Sequence, residues 1–455
     1  MSQIKRPHFG TDGIRGNADA DLNDDFIFAL GKSIYASILD IQNGLEEFTI
    51  LIGTDTRTSG TRIKNALSAG LQHSGVKIID VGILPTPAIS LNAKIENAYA
   101  CAITASHNPS EDNGIKVFAK GGAKTDDKFE TLIENYLDKY ISLDEEPDIT
   151  ELKMSDGIKN AYTNYLSWLK DFFDPQNLKG LKVALDCANG ASFDTGPKTF
   201  SNLGAQVEAI NIENDGTNIN KNCGATNLES LQNHVNKVDI DIAFAFDGDA
   251  DRIIVLDQNG KMYDGDYILA LLAKELKSEP KTVVATTMSN GALKRYLEDT
   301  KVNFLQTDVG DKNVAIGMLD SNAKIGGEQS GHIIHKDYAD FGDGVLIALL
   351  ISNIFIKNRI IFPNLKASEM LDLFTPMVQL HDKVKVANKT LASSSTKIRE
   401  AIDSQLSILG SNARIVIRPS GTENVVRVMV EADDEDSAKN SIAILIDVVK
   451  ENCKE

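Results

Sequence analysis

The sequence predicts an α/β protein of several domains that ends in a smaller α+β domain, and three observations support this. The chain has 455 residues, enough for two to four domains of about 100–200 residues each. Apolar strands alternate with helical patterns over most of the chain, which is typical of largely parallel sheets covered by helices. From about Pro376 the order becomes β-α-β-β-α, which predicts a different, smaller domain.

The first α/β region is predicted from strands and helices that alternate. The β-branched run Phe48–Ile52 predicts a strand that ends in the polar turn Gly53–Gly60, and a helical pattern follows over residues 61–73. Further strands are predicted at Val76–Val81 and Ala98–Thr104. Such an order predicts parallel neighbours, because each helix carries the chain back to the same end of the sheet.

The same strand, polar turn and helix recur in two later regions. Strands are predicted at Leu181–Asp186 and within Lys281–Leu297, and an Asn-Gly-Ala turn follows each, although a three-residue match can also recur by chance. The acidic stretch Leu143–Thr150 is predicted to be a linker. We therefore expect three α/β domains and a last α+β domain, with bounds at residues 1–150, 151–254, 255–372 and 373–455.

The last region is predicted to contain three strands and two helices. The strands are expected at Lys383–Val386, Arg414–Ile417 and Val425–Glu431, and the helices at Ser394–Leu409 and Glu435–Val449. The second and third strands flank a short turn, which predicts a hairpin.

The charge of the chain excludes several classes of partner. It carries 47 Lys and Arg against 65 Asp and Glu, a net charge of −18. A general nucleic-acid binder is usually basic, because it must neutralise phosphates. An acidic surface also argues against an anionic membrane, but it allows a small anionic substrate in a locally basic cleft.

Cysteine usage and hydropathy predict a soluble, cytoplasmic protein. Four cysteines are scattered without a C-x-x-C pair, which fits a reducing compartment and argues against a zinc or redox motif. Residues Met1–Gly10 lack the apolar segment of a secretory signal. The most apolar helical pattern, Val345–Ile356, is shorter than the ~20 residues of a membrane span.

Two segments at predicted strand ends can carry phosphoryl chemistry. Thr104–Gly114 reads TASHNPSEDNG, in which Ser106 beside His107 can be a phosphoryl carrier, with Lys116 in the next predicted strand. A polar turn is the alternative, and the segment alone favours it. Asp247, Asp249 and Asp251 alternate in FDGDADR after a buried strand, so their carboxylates can converge on Mg²⁺ beside Arg252. A solvated acidic turn is the alternative there.

Two further segments have the residues of a sugar-phosphate site. Gly326–His332 reads GGEQSGH after a strand predicted at Ala323–Ile325, and Glu328, Ser330 and His332 can bond hydroxyls, bind an amine or exchange protons. A turn with a capping Glu is equally compatible with it. Arg418–Glu423 reads RPSGTE, and Arg418, Ser420 and Thr422, with Arg427, can form a phosphate cradle. A plain hairpin is the alternative.

The motifs FGTDGIRG, TASHNP, DGDADR, GEQSGH and RPSGTE follow one another over the whole chain, and in this order the sequence resembles the α-D-phosphohexomutase superfamily. The resemblance implies four domains around a central cleft, three of them with mixed sheets and a smaller fourth. It implies transfer of a phosphoryl group between O6 and O1 of a hexose phosphate through a bisphosphate. Glucosamine phosphate is expected first, which would feed UDP-N-acetylglucosamine and cell-wall precursor synthesis, with mannose or glucose phosphate as the alternative.

Position by position, the resemblance assigns roles to the motif residues. Ser106 would be the phosphoserine, and its phosphate would complete the Mg²⁺ coordination by the three aspartates. Glu328 and Ser330 would contact sugar hydroxyls. The remaining residues surround phosphates: Arg15, Lys116 and Arg252 the transferred one, and Arg418, Ser420, Gly421 and Thr422 the other. Lys116 and His332 are both candidates for the proton acceptor. Position 424 is Asn where the motif often continues with Pro, which leaves the stiffness of that loop open.

Two other classes compete with this interpretation. A dehalogenase-like phosphatase would use Asp247 as its nucleophile. A sugar-phosphate-binding regulator would have lost catalysis, which the presence of Ser106, the three aspartates and Arg418 argues against. The expected partners are small-molecule sugar phosphates, with no nucleic acid and no membrane, and a homodimer is an assembly that the sequence leaves open.

Overall fold

A computed structural model describes residues 6–44, 47–143, 152–277, 281–420 and 425–454. The chain divides into two compact units. The first unit comprises Met1–Thr287 and Leu305–Leu371, and the second comprises Met288–Phe304 and Asp372–Glu455. Apart from Leu143, the predicted linker lies outside the described residues.

The first sheet has seven strands and is mixed. Its order is β1-β2-β6-β5-β3-β4-β7, where β3 is parallel to β4 and β5, and β6 is antiparallel to β2 and β5. The elements are β1 Phe9–Gly10, β2 Gly13–Asn17, α1 Asp24–Ile41, β3 Phe48–Thr54, α2 Gly60–Leu71, β4 Val76–Ile83, α3 Thr86–Ile95, β5 Tyr99–Ile103, β6 Asp112–Phe118, α4 Asp127–Ile141 and β7 Met154–Asp156. Apolar side chains of α1, α2, α4 and the strands form its core.

The second sheet, with order β12-β11-β10-β8-β9, is also mixed. Strand β8 is parallel to β9 and β10, whereas β11 is antiparallel to β10 and β12. The elements are α5 Ile158–Asp171, β8 Lys182–Asp186, α6 Thr195–Asn202, β9 Gln206–Ile210, α7 Glu229–Val235, β10 Ile242–Phe246, β11 Ile253–Asp257 and β12 Met262–Tyr263.

The third sheet has the order β14-β13-β15-β16, with β15 parallel to β13 and antiparallel to β16. The elements are α8 Gly265–Glu275, β13 Thr282–Thr286, α9 Gly291–Asp299, β14 Asn303–Thr307, α10 Asp311–Asp320, β15 Ile325–Gly327, β16 Ile333–His335, α11 Gly344–Ile361 and α12 Ala367–Leu371. Residues of α9 belong to the second unit.

Helix α11 is the one described helix that is long and apolar enough to cross a membrane. It has 18 residues, so the predicted Val345–Ile356 bounds are too short and the length argument against a membrane span is wrong. However, 61% of its apolar window is buried inside the protein, and the buried core helix of a water-soluble protein passes the same test.

The last sheet, of order β17-β19-β18, is antiparallel throughout, and confirms the predicted order of elements. Its elements are β17 Val378–Lys385, α13 Leu391–Ser394, α14 Thr396–Leu409, β18 Arg414–Pro419, β19 Val425–Ala432 and α15 Glu435–Asn452. One face of the sheet packs against α14 and α15 in a core that includes Val426, Val428 and Leu445.

The mixed sheets confirm what the resemblance implies and correct the largely parallel sheets predicted from element order. The physical reason is the length of three connections, β5 to β6, β10 to β11 and β15 to β16. Each is shorter than the dozen or more residues that a parallel crossover needs, so each joins antiparallel neighbours. These three connections carry the TASHNP, DGDADR and EQSGH motifs.

Candidate active site

Ser106 lies on the connection between β5 and β6 in a strained, buried conformation. Its φ is 53°, a left-handed value that is uncommon for a residue other than glycine. The side chain is fully buried. Its Oγ donates a hydrogen bond of 2.6 Å to Oδ2 of Asp247 and lies 3.3 Å from Nδ1 of His107. The hydroxyl is therefore held beside a carboxylate of the metal motif.

The three aspartates of the β10–β11 connection converge. Asp247, Asp249 and Asp251 each offer a carboxylate oxygen, and these oxygens all lie within 4.8 Å of one another. Ala250 turns the chain with a φ of 58°. The Oδ1 atoms of Asp249 and Asp251 are buried without a hydrogen-bond partner. Buried anionic oxygens need a partner, and a hard divalent cation such as Mg²⁺ takes oxygen ligands, so these residues fit one.

The aspartates also repel one another. Burial, together with the charges of Asp251 and Asp249, raises the pKa of Asp247 to about 8. Burial would raise the pKa of Asp251 as well, but Lys116 and His332 hold it well below its usual range. Three carboxylates so close together disfavour the charged form of Asp247, and a bound cation would favour it again.

Lys116 and Arg15 are held at this centre by a residue that the sequence analysis did not single out, Asp12. The Lys116 ammonium lies 2.8 Å from carboxylate oxygens of Asp12, Asp249 and Asp251. Arg15 donates to Asp12 at 2.5 Å. Burial opposes ionisation of Asp12, but Lys116, Lys124 and Arg15 hold the pKa of its carboxyl well below its usual range. Asp12 therefore fixes two of the predicted cations.

Arg252 and His332 complete the predicted cluster. The Arg252 backbone N–H donates to Oδ1 of Asp247 at 3.1 Å, and its guanidinium Nε lies 4.0 Å from Asp251. His332 forms an isolated antiparallel bridge with Arg252. Its Nδ1 lies 3.7 Å from Asp251, and its Nε2 is buried without a hydrogen-bond partner. A buried, unpartnered ring nitrogen is suited to proton exchange with a bound substrate.

The GGEQSGH segment begins inside a strand rather than after it. Strand β15 covers Ile325–Gly327 instead of Ala323–Ile325, since Gly326 and Gly327 pair with β16. Glu328 Oε1 accepts a hydrogen bond of 3.0 Å from the backbone N–H of Gly310, so one oxygen is already engaged. Ser330 is exposed. Their contacts with a sugar remain predictions.

The second unit brings together cations on the sheet face opposite its core. Arg418 and Arg427 are direct cross-strand partners, and Lys383 is opposite Arg427 on the other side. Like charges directly opposite one another are destabilising when nothing compensates them. All three residues line a cavity of about 460 Å³. Of the predicted loop, Ser420 is buried, while Gly421 and Thr422 lie outside the described residues.

Several residues around the first centre escaped prediction. Thr86, at the start of α3, donates to Asp249 Oδ2 at 2.6 Å. Asp311 pairs with Lys124, and its carboxylate lies 4.0 Å from His332 Nε2. A Cβ added to Gly342 would lie 2.5 Å from the His332 ring, so only glycine leaves room for the ring there. The DFGDG stretch around Gly342 was the available signal, and the DVGDKN stretch around Asp311 was a weaker one. The local sequence around Thr86 offers no such signal.

Four family models match the chain, one in the region of each sheet. The models for phosphoglucomutase/phosphomannomutase α/β/α domains I, II and III match residues 6–144, 160–260 and 264–375, and that for the C-terminal domain matches 383–447.

Curated relatives match over nearly the whole chain. A phosphoglucosamine mutase of Clostridioides difficile (strain 630) is 39% identical over 451 residues, covering 98% of this chain and 99% of the relative. One of Rhizobium rhizogenes is 39% identical over 455 residues, covering 98% of both. The crystal structure of a phosphoglucomutase/phosphomannomutase family protein from Burkholderia thailandensis, 21% identical, has a TM-score of 0.77 and covers 97% of both chains. At that identity the likeness shows the fold alone.

Proposed function

This chain belongs to the phosphoglucomutase/phosphomannomutase family of the phosphohexomutase superfamily, and from that premise we propose that it interconverts glucosamine 6-phosphate and glucosamine 1-phosphate. The relatives that support the amino-sugar substrate are named phosphoglucosamine mutase. The reaction is an isomerisation in which the enzyme lends and recovers a phosphoryl group.

The observation that carries the proposal is the contact between Ser106 and the aspartates. A fully buried hydroxyl, 2.6 Å from Asp247, lies beside three carboxylates with cations around them. Phosphoryl transfer depends mainly on positioning and on neutralising charge. A serine phosphate at this position would have Lys116, Arg15 and Arg252 as its nearest cations.

The chain's own residues would act in the following way. Phosphorylated Ser106 gives its phosphoryl group to the 1-hydroxyl of glucosamine 6-phosphate, and the Ser106–phosphate bond breaks as the new O–P bond forms. The proton of that hydroxyl passes to His332, because Lys116 is held as an ammonium ion by Asp12, Asp249 and Asp251 and has no lone pair to accept it. The Ser106 oxygen takes up a proton as it leaves, so that Ser106 is again a hydroxyl before the second transfer. The resulting 1,6-bisphosphate turns over, and its 6-phosphate returns to Ser106 with the reverse movement of a proton. Glu328 and Ser330 would orient the sugar through its hydroxyls.

The metal site would be formed by Asp247, Asp249 and Asp251 with an oxygen of the Ser106 phosphate. A bound Mg²⁺ would neutralise negative charge on the transferred phosphoryl group. Two unpartnered buried carboxylate oxygens support this set of ligands.

The second phosphate of the substrate would be held in the last domain. We propose Arg418, Ser420, Gly421, Thr422 and Arg427 for this role, supported by the cross-strand cations Arg418 and Arg427. Because the bisphosphate reacts in both orientations, one cradle would serve either phosphate.

We propose domain bounds at residues 1–150, 151–254, 255–372 and 373–455. Strand β7 pairs within the first sheet, and β11 and β12 pair within the second, so the first two domains extend past the bounds at 150 and 254. The protein is proposed to act in the cytoplasm on small sugar phosphates. Its four cysteines are free and buried, which suits a reducing compartment. A homodimer stays a proposal that size-exclusion chromatography with light scattering would test.

The deciding experiment combines intact mass with an isomerisation assay. We expect active protein to carry an acid-stable phosphate on Ser106, about 80 Da above the unmodified mass, and to convert glucosamine 6-phosphate. An acid-labile acyl phosphate on Asp247 would favour the phosphatase class instead. Higher kcat/KM for mannose or glucose phosphate than for glucosamine phosphate would assign the other mutase specificity.

A further inference from the structure

A buried arginine that takes no part in the proposed chemistry donates hydrogen bonds to the Ser106 loop, the connection between β5 and β6. Arg57 follows β3 in the polar turn Gly53–Gly60, and its side chain is fully buried. It donates from Nη2 to the carbonyl oxygens of Ser106 at 3.1 Å and Asn108 at 2.8 Å. From Nη1 it donates to the carbonyl oxygens of Pro109 and Asp112, the latter at 2.8 Å. One guanidinium thus spans the loop.

Arg57 is itself held in one orientation. Its Nε donates to Oδ2 of Asp55 at 3.0 Å, and its backbone N–H donates to Oδ1 of the same carboxylate at 3.0 Å. The Asp55 side chain is also fully buried. A guanidinium has a planar fork of five donors, which suits several acceptors at once. Asp55 therefore fixes the orientation in which Arg57 donates to the loop carbonyls.

A second residue, far away in the sequence, holds the same two carbonyl groups. Asn220 Nδ2 donates to the Ser106 carbonyl oxygen at 2.8 Å and to that of Asn108 at 2.9 Å. The Ser106 carbonyl thus accepts from both Arg57 and Asn220. A Cβ added to Gly248, inside the metal motif, would lie 2.6 Å from this carbonyl oxygen, so the loop and the metal motif are closely packed.

We propose that Arg57 and Asn220 are positioning residues that hold Ser106 in its left-handed conformation for phosphoryl transfer. A φ of 53° costs energy for serine and persists only where the surroundings impose it. The two donors on the Ser106 carbonyl fix that peptide group, and with it the direction of Oγ toward Asp247. The assignment rests on the proposed function, because it gives these residues their effect on turnover.

Two variants test the proposal by independent routes. Arg57→Lys keeps a charge for Asp55 but loses the fork, and Asn220→Ala removes two hydrogen bonds without leaving a buried charge. We expect each to lower kcat for glucosamine 6-phosphate about tenfold or more, because misplacement by about 1 Å can cost 10²-fold. The KM should stay within about twofold, since the substrate's other phosphate is proposed to bind elsewhere.

A matched control is Arg62→Lys. Arg62 also donates to backbone carbonyls, those of Leu22 and Ala18, but not to the carbonyls that Arg57 and Asn220 hold. Ala18 in turn donates to the Glu111 carbonyl, at the other end of the segment from Ser106. Hydrogen exchange of residues 104–114 gives a readout that does not depend on catalysis. It should accelerate in Arg57→Lys and Asn220→Ala and stay unchanged in Arg62→Lys.

The outcomes separate this inference from the proposed function. Wild-type kcat and wild-type exchange in both variants, in an enzyme that is otherwise an active mutase, would overturn the positioning role alone. An equal loss of kcat in Arg62→Lys would also overturn it, because the effect would then be general destabilisation. If the wild-type protein has no mutase activity but both variants show faster exchange in the loop, the loop assignment stands and the proposed function is refuted. If Arg57→Lys does not fold, Asn220→Ala still decides.

Discussion

The centre around Ser106 and the cationic face around Arg418 solve opposite electrostatic problems. In the first unit, Ser106, Lys116 and the three aspartates are all buried, and the side chains already bond one another. In the second unit, Lys383 and Arg427 are exposed on an antiparallel sheet whose other face forms the core. One centre concentrates negative charge in the interior, and the other concentrates positive charge beside solvent.

The contrast indicates which task each region can perform. Charges buried among fixed partners need no reorganisation during a reaction, which favours bond making and breaking. Cations at an accessible surface attract an anion from solution and release it again, which favours docking. The difference teaches that the transferred phosphoryl group and the held phosphate require different surroundings even though both are phosphates.

The largest effect is expected when the carrier itself is removed. Ser106→Ala should lower mutase turnover to below about a thousandth of wild type, as loss of a nucleophile does in other covalent enzymes. The fold should survive, with a change in unfolding free energy within the ~1–3 kcal/mol of a lost buried hydrogen bond. Thermal unfolding and a coupled isomerisation assay measure both. Full activity in this variant would exclude Ser106 as the phosphoryl carrier.

Loss of one metal-binding carboxylate should come next. Asp249→Asn keeps the shape of the side chain but removes an anion, so the Mg²⁺ midpoint of activity should rise at least tenfold, while KM for the sugar phosphate changes less. Chelation should abolish wild-type turnover, and added Mg²⁺ should restore it.

Asp257→Asn is the matched control for the metal prediction. Asp257 is equally buried but accepts hydrogen bonds from the backbone N–H groups of Asn259 and Lys261 on a separate turn. Its variant should keep the wild-type Mg²⁺ midpoint. An unchanged midpoint with normal turnover in Asp249→Asn would exclude this loop as the metal site.

The cationic face should give an intermediate effect. Hydrogen bonds to charged groups contribute roughly 1.5–3 kcal/mol, so Arg418→Ala should lower kcat/KM by at least about tenfold, since 1.4 kcal/mol is one decade. Arg418→Lys should recover part of the loss, because a point charge lacks the fork. Both directions must fall by the same factor, since the equilibrium constant fixes the ratio of the two kcat/KM values. Wild-type kinetics in both directions would leave Arg418 as a hairpin residue.

The two regions differ in how far the sequence predicts them. The convergence of Asp247, Asp249 and Asp251 follows from alternating carboxylates after a buried strand, and the structure confirms that they meet. The short connection between β5 and β6 predicts that these strands are antiparallel. The βαβ order of the preceding elements predicted a parallel sheet instead. Asp12 lies within the FGTDGIRG motif, but its contact with Lys116 was not predictable, and neither was that of Asp311 with His332, because these residues come from distant parts of the chain.

In the second unit, the local motif predicted Arg418 and Arg427 as phosphate-binding residues, but it gave no indication of Lys383. That residue comes from β17, and the register of the sheet alone brings it opposite Arg427. Cross-strand partners depend on pairing between strands that are distant in sequence, and a one-residue change of register would turn the side chain to the other face. Lys383 therefore offers a test of the cationic face that sequence motifs do not suggest.

The smallest effect is expected for Lys383→Ala. Lys383 is exposed, so solvent and salt screen its charge, and exposed charge interactions are typically worth about 0.2–1 kcal/mol. We therefore expect kcat/KM to fall by about twofold to fivefold at low ionic strength, and the difference from wild type to disappear as salt is added.

Lys439→Ala is the control, since Lys439 pairs with Glu435 at 2.7 Å on helix α15 of the same unit. It removes the same charge from the unit but not from the cationic face, and it should leave kcat/KM unchanged. If Lys383→Ala lowered kcat/KM as strongly as Arg418→Ala at all salt concentrations, Lys383 would be a desolvated phosphate ligand, and the contrast between a buried reacting centre and a solvent-screened docking face would fail.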